Sequence, residues 1–118
     1  MDNHLLSLLI RVLASIGYQE DKQLFAKKFI WVCEKQALDR VVGKLPKSQQ
    51  TVIYHALNED VLSDQSKAYI MTVLQSKPYQ DAVLAVFQEN LESYIETVAP
   101  TLTEEQARGT EKILKEYL

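Results

Sequence analysis

Hydrophobic residues recur at helical spacing along most of the chain, and they are densest between Leu24 and Leu45. Wound at about 3.6 residues per turn, this stretch is apolar on most sides. A helix of that kind is usually central, with neighbours packed on several faces. We therefore expect a central helix, capped by Asp21 and ending near Gly43, around which a small helical domain is built. One of its stripes, at heptad spacing, contains Leu24, Trp31, Leu38 and Leu45.

The first helix of the predicted set is also apolar nearly all round. It should end at Gly17, in the left-handed conformation that commonly terminates helices. Because the link from Tyr18 to Glu20 is short, we expect this helix and the central helix to pack antiparallel as a hairpin. Together the two helices have more apolar surface than one small bundle easily hides. The surplus is either fully buried in the core or forms a dimer interface.

Turn residues and capping residues predict where the remaining helices begin. Ser48 is the expected cap of the third helix, Ser63 or Asp64 starts the fourth, and Thr103 and Gln106 fit a capping box. Val61 and Leu62 are expected to return to the core before the fourth helix. The predicted helices other than the central one cover about Asn3 to Ile16, Gln49 to Leu57, Asp64 to Gln75, Tyr79 to Val98, and Thr103 to the C-terminus.

Composition agrees with an all-α fold, a compact single-domain bundle of five to six helices over residues 1–118. The chain has 118 residues, 47% of them hydrophobic, with only three Gly and three Pro, which favours helix and permits a core without disulfides. The one cysteine, Cys33, is expected to be a buried thiol. The apolar run from Leu5 to Ile16 is too short to cross a bilayer, so we expect a cytoplasmic protein without membrane contact.

Charge is unevenly distributed along the chain. The net charge is −3, but residues 1–57 carry eight Lys or Arg against five Asp or Glu, whereas residues 58–118 carry five against eleven. Such a division can simply give oppositely charged faces that are solvated within one domain. It also allows an acidic surface to meet a basic partner, or one copy of the chain to associate with another.

Sequence motifs for catalysis, cofactors and metals are not found. The possible nitrogen and sulfur ligands, His4, His55 and Cys33, are not at ligand spacing, and no phosphate loop or dinucleotide fingerprint occurs. Glu89, Glu92 and Glu96 share one helical face, which we interpret as a solvated acidic surface. We therefore expect no cofactor, no metal site and no catalytic residue, and a non-enzymatic protein.

Nucleic-acid binding is the alternative function. The helices around residues 48–76, joined by a short turn, can be read as a helix-turn-helix. The second of them offers only Lys67 and Lys77 near its ends and begins at Asp64, whereas a recognition helix presents basic and amide side chains to DNA. The other basic residues are spread around the central helix, which disfavours this alternative.

Protein–protein interaction is the function that the sequence favours, as an adaptor, regulator or assembly subunit acting through helix–helix contact. Large aromatic residues are enriched where interface energy is concentrated. The pattern allows a partner helix in a groove between helices one, two and five, or a homodimer through the same surface. The candidate interface residues are Trp31, Phe29, Tyr18, Tyr54, Tyr69 and Tyr79.

Overall fold

A computed structural model describes residues 3–58 and 63–117, and within these ranges the chain forms six α-helices and no strand. The predicted all-α, bundle-like fold class is thereby confirmed. A 3-10 turn, Ala99–Thr101, precedes the last helix. The helices are α1 (Asn3–Ser15), α2 (Lys22–Gly43), α3 (Lys47–Leu57), α4 (Asp64–Leu74), α5 (Lys77–Val98) and α6 (Glu104–Tyr117).

Local signals in the sequence explain most helix ends. The backbone N–H of Leu24 donates to Asp21 Oδ1 over 3.1 Å, which satisfies one of the donors left open at the start of α2. Ser63 Oγ accepts from the N–H of Ser66 at the start of α4 in the same way. Gly17 has a φ of 77°, the left-handed conformation predicted for the residue that follows α1.

The capping box at the start of α6 is present as predicted. Thr103 N–H donates to Gln106 Oε1 over 2.9 Å, and Gln106 N–H donates to Thr103 Oγ1 over 3.1 Å. These reciprocal hydrogen bonds satisfy two backbone donors that would otherwise lack a partner within the helix.

The start of α3 differs from the prediction. Ser48 does not cap α3, because the helix begins at Lys47 and the capping position is Pro46, which makes no side-chain hydrogen bond. The Pro46 carbonyl accepts from both Gln49 and Gln50 N–H groups at 3.0 Å, so α3 begins two residues earlier than predicted. The expectation for Val61 and Leu62 concerns residues outside the described ranges.

The chain divides into two compact units. Unit 1 combines the described parts of Met1–Val32 and Glu89–Leu118, and unit 2 is formed by those of Cys33–Gln88. Both α2 and α5 therefore contribute residues to each unit. The single-domain boundary, 1–118, stays a prediction.

Unit 1 is built on α1. Its inward side chains are fully buried, as the apolar pattern predicts, and α6 packs closely against this helix. The antiparallel packing of α1 with α2, its neighbour along the chain, stays a prediction. The buried residues of this unit are Leu5, Leu8, Leu9, Val12, Leu13, Ala26, Ile30, Leu91 and Thr110.

Polar contacts fix α6 on α1. The hydroxyls of Ser15 and Thr110 share a hydrogen bond of 2.7 Å, and Thr110 is buried. Nearer the C-terminus, an Arg11 guanidinium nitrogen lies 2.9 Å from a Glu116 carboxylate oxygen. Because this ion pair is half exposed, it contributes little to the free energy of unfolding.

Unit 2 contains the buried Cys33, as predicted. In this unit α3 packs closely on α4, yet α4 has no fully buried residue. Its apolar side chains Ile70, Val73 and Leu74 are half-buried. The buried side chains of this unit come from the other helices and are Cys33, Ala37, Val42, Ile53, Ala56, Tyr79, Val86 and Phe87.

Two glycines of unit 1 should respond to alanine in opposite directions. A methyl group at Gly109, within α6, would meet no atom within 4 Å, so Gly109→Ala should raise the free energy of unfolding by about 0.5–1 kcal/mol. A methyl group at Gly17 would lie 2.9 Å from Gln106 Nε2 on a backbone with positive φ, so Gly17→Ala should lower it by about 1 kcal/mol or more.

Urea denaturation of both variants, followed by circular dichroism, measures these changes. A stabilising effect of Gly17→Ala, or a loss of stability of more than about 0.5 kcal/mol in Gly109→Ala, would contradict the described geometry of the α1–α6 pair.

Candidate interaction surface

In unit 1, α2 has one buried side and one exposed apolar side. Ala26 and Ile30 are buried, whereas Leu24 is 50% exposed and Trp31 is 58% exposed. The prediction that this helix is packed on several faces is therefore wrong for the segment 22–32. We call the exposed side, opposite Ala26 and Ile30, the outer face of α2; its residues are Leu24, Lys27, Lys28, Trp31 and Val32.

The outer face of α2 has an apolar centre and basic flanks. Leu24 and Trp31 are two turns apart in one row, about 10 Å along the helix axis. At about 100° per residue, Lys27 and Lys28 fall on opposite sides of that row. Residues 22–32 include three Lys and no Asp or Glu, so all the charged side chains of this stretch are positive.

A cluster of half-buried aromatic rings adjoins the outer face. The ring centroid of Phe25 lies 5.1 Å from that of Tyr18 and 5.4 Å from that of Tyr94, and Phe29 contacts Tyr94 edge-on at 6.4 Å. These separations suit favourable aromatic pairing. We call Tyr18, Phe25, Phe29 and Tyr94 the aromatic cluster; it holds α2 beside α5 within unit 1 and extends the accessible apolar surface.

The two phenol groups of this cluster, those of Tyr18 and Tyr94, have a raised pKa. Partial burial, followed by the neighbouring Tyr18, raises the pKa of Tyr94. Desolvation, and then the negative charge of Glu20, raises the pKa of Tyr18, whose hydroxyl points to Glu20 at 3.4 Å. Both rings therefore remain neutral beyond the pH at which a free tyrosine ionises.

The six predicted interface aromatics are divided between the two units. Unit 1 contains Trp31 on the outer face of α2, with Phe29 and Tyr18 in the aromatic cluster. In unit 2, Tyr54 is 43% exposed and Tyr69 is half-buried, but Tyr79 is only 8% exposed. The ring of Tyr79 therefore lies in the core of unit 2, and burial and then Glu34 raise its pKa. Interface roles for the six stay predictions.

The predicted interface residues include Trp31 but not Leu24, Lys27, Lys28 or Tyr94. The apolar pattern places Leu24 in one stripe with Trp31 without showing that this stripe is exposed. A useful signal was available: Ala26 lies opposite Trp31, and a small residue on one side of a helix allows a close neighbour there.

The helix-turn-helix-like segment offers little basic surface. The two helices of this segment, α3 and α4, pack closely on each other. The exposed residues of α4 include Asp64 in its first turn and Lys67, followed by uncharged side chains. This is a poor match to the phosphate and base contacts of a recognition helix.

The described ranges contain a small cleft but no metal-binding cluster. A cleft of about 200 Å³ between α1 and α6 is lined by His4, Arg11, Glu116 and Tyr117, among others, and is smaller than a usual ligand pocket. The described residues hold no group of three or more His, Cys, Asp or Glu placed to bind a metal ion. Nor does any described helix combine the length and apolar character needed to cross a bilayer.

Comparison with known proteins gives no relative from which a role can be transferred. The chain matches no family model, and it has no significant match to a curated protein or to a solved structure. The function must therefore be argued from the surface itself.

Adjacent residues of α2 should differ sharply in their effect on stability. Ile30 is buried, so Ile30→Ala should lower the free energy of unfolding by about 2–5 kcal/mol. Trp31→Ala should cost about 1 kcal/mol or less, because most of the indole already contacts water. Urea denaturation followed by circular dichroism compares the two, and a cost of about 3–5 kcal/mol for Trp31→Ala would place the ring in a core.

Tyr94 should make the folded chain sensitive to alkali. The unfolded chain loses the phenol proton near pH 10, while folded Tyr94 holds it to higher pH. Stability is therefore complete below about pH 10 and falls as the pH rises toward the folded pKa. Unfolding measured between pH 8 and about 11 should show a shallower decline in Tyr94→Phe than in the wild type; equal declines would contradict this role.

Proposed function

We propose that this chain is a non-enzymatic protein-interaction module that binds its partner through the outer face of α2. The observation that supports the proposal is the position of Leu24 and Trp31, exposed in one row opposite the buried Ala26 and Ile30. A tryptophan in that position contributes little to the core of the chain. Removal of its indole from water would be favourable, and a second surface is needed to achieve it.

The chemistry of the outer face is typical of an interface centre. Trp is among the residues on which binding energy is concentrated, and such residues are usually ringed by contacts that exclude water. Lys27 and Lys28 can lay their methylene stems beside the apolar row and keep their ammonium groups in water. The half-buried aromatic cluster next to them enlarges the apolar area without requiring any rearrangement of the fold.

A helix is the partner element that this surface suits best. The row from Leu24 to Trp31 repeats at heptad spacing, and a docking helix presents apolar residues with the same repeat. The protein would then act as an adaptor, regulator or assembly subunit. Nucleic-acid binding is less well supported, because the exposed side of α4 lacks a basic row.

Photo-crosslinking tests which surface is covered in cells. A photoreactive phenylalanine derivative placed at Leu24 should form a discrete covalent adduct, because the partner lies within reach of that position. The same group at Glu105, exposed in the first turn of α6, is the matched control. Adding Trp31→Ala to the Leu24 variant should reduce the yield about tenfold, the loss expected from about 1.4 kcal/mol of binding energy.

The outcomes separate the alternatives. A specific adduct from position 24 that depends on Trp31 supports the proposal, whether the adduct contains another protein or a second copy of the chain. Equal adducts from positions 24 and 105, or none from position 24, would overturn it.

A further inference from the structure

The charge of the outer face of α2 restricts the partners that can cover it. Lys27 and Lys28 flank the apolar row of this face, about 40–60° to either side of it. Each lysine is about 5 Å along the helix axis from Leu24 and from Trp31. A helix that covers the row therefore comes close to an ammonium group on each of its two flanks.

The two lysines are not compensated by carboxylates of the same copy. Within the described part of the chain, neither Lys27 nor Lys28 has a carboxylate oxygen within salt-bridge distance of its ammonium group. The other charged residue of the stretch 22–32 is also a lysine, Lys22. The positive charge of this face is therefore available to attract a negatively charged partner.

The acidic residues of the neighbouring helix in unit 1 point away from this surface. Phe25 and Phe29 contact Tyr94, which identifies the side of α5 that lies beside α2. Glu92 and Glu96 are each two residues from Tyr94 and lie about 160° around the helix from it. The packing of α2 beside α5 thus leaves the charge of the lysines in place.

That acidic side of α5 also makes a second copy of the chain a poor occupant. Glu92 and Glu96 are exposed, but residues 89–98 include no exposed large hydrophobic residue. This side would offer charge to the outer face of α2 without an apolar row to cover Leu24 and Trp31. Removal of the indole from water requires such a row, so the occupant has to carry both features on one helix.

We propose that the occupant of the outer face of α2 is an acidic amphipathic helix of another protein. Its apolar residues, at three- and four-residue spacing, cover Leu24 and Trp31. Asp or Glu residues on both flanks of its apolar stripe approach Lys27 and Lys28, which orients the helix and speeds its association. This inference rests on the proposed function, because it names the class of partner at the same surface.

Two synthetic helical peptides, each about three heptads long, test the charge requirement. Both carry leucine at the core positions of each heptad, and they differ only in the flanking residues, glutamate in the acidic peptide and lysine in the basic one. Fluorescence anisotropy of the labelled peptides measures binding. The wild type should bind the acidic peptide at least about tenfold more tightly than the basic one, and less tightly as the salt concentration rises.

Charge variants of the chain assign this preference to the outer face. Lys27→Glu with Lys28→Glu should reverse the preference, because the basic peptide then meets opposite charges. Lys27→Gln with Lys28→Gln should reduce the preference without reversing it. The control, Lys44→Glu with Lys47→Glu, changes the net charge equally at exposed positions outside this face, and it should keep the preference within about twofold of the wild-type value. Circular dichroism verifies that each variant is folded.

The outcomes decide between the acidic helix and other occupants. A preference for the acidic peptide that the reversal of both lysines inverts, with the control variant unaffected, supports the proposal. Equal binding of the two peptides, or no binding of the acidic peptide at about 1 mM, overturns it. A wild type that forms a dimer in sedimentation velocity, and loses it in Trp31→Ala, would identify a second copy as the occupant and also overturn it.

The two proposals can fail separately. If the peptides bind equally or not at all, while the photoreactive group at Leu24 still captures another protein in a Trp31-dependent way, the acidic helix is wrong and the proposed interaction function stands. If position 24 gives no adduct and neither peptide binds, both proposals fail.

Discussion

The apolar side of α1 has to be covered, and this requirement determines how unit 1 is arranged. Five of its thirteen residues are buried large aliphatic side chains. The helix that packs closely on it, α6, comes from the opposite end of the chain and is itself largely polar. Only Thr110 of α6 is fully buried, so the fit depends on one close hydroxyl pair and on the surrounding half-buried side chains. Residues far apart in sequence must therefore come together before unit 1 is complete, which raises the entropic cost of forming it.

Helix positions were predictable because their signals are local. Asp21, Gly17, Ser63 and the Thr103–Gln106 pair each act within a few residues of the helix end that they define. Such hydrogen bonds and backbone conformations depend little on the rest of the fold. The start of α3 was missed because a carbonyl group, that of Pro46, closes the first turn, and every residue has a carbonyl group.

Helix partners and the orientation of α2 were not predictable in the same way. Periodicity shows which residues share a side of a helix, but when two sides are apolar it does not show which one faces inward. In α2 the smaller residues, Ala26 and Cys33, are buried and the larger Trp31 is exposed. Small side chains allow close approach of a neighbour, and this preference outweighed the greater area that Trp31 could have buried. The candidate interaction surface exists because Trp31, and not the smaller residues, is on the exposed side of α2. The sequence shows which residue types share that side, but it does not show that the side is exposed.

The exposure of Trp31 also determines what the intrinsic fluorescence of this protein reports. Trp31 is the only tryptophan of the chain, and its indole is in contact with water in the folded state. Its emission maximum should therefore already resemble that of an unfolded chain, so a denaturation curve recorded at this wavelength would underestimate the unfolding of the core. The same property makes the indole a sensitive optical probe of the outer face of α2, since any molecule that covers it should shift its emission to shorter wavelength.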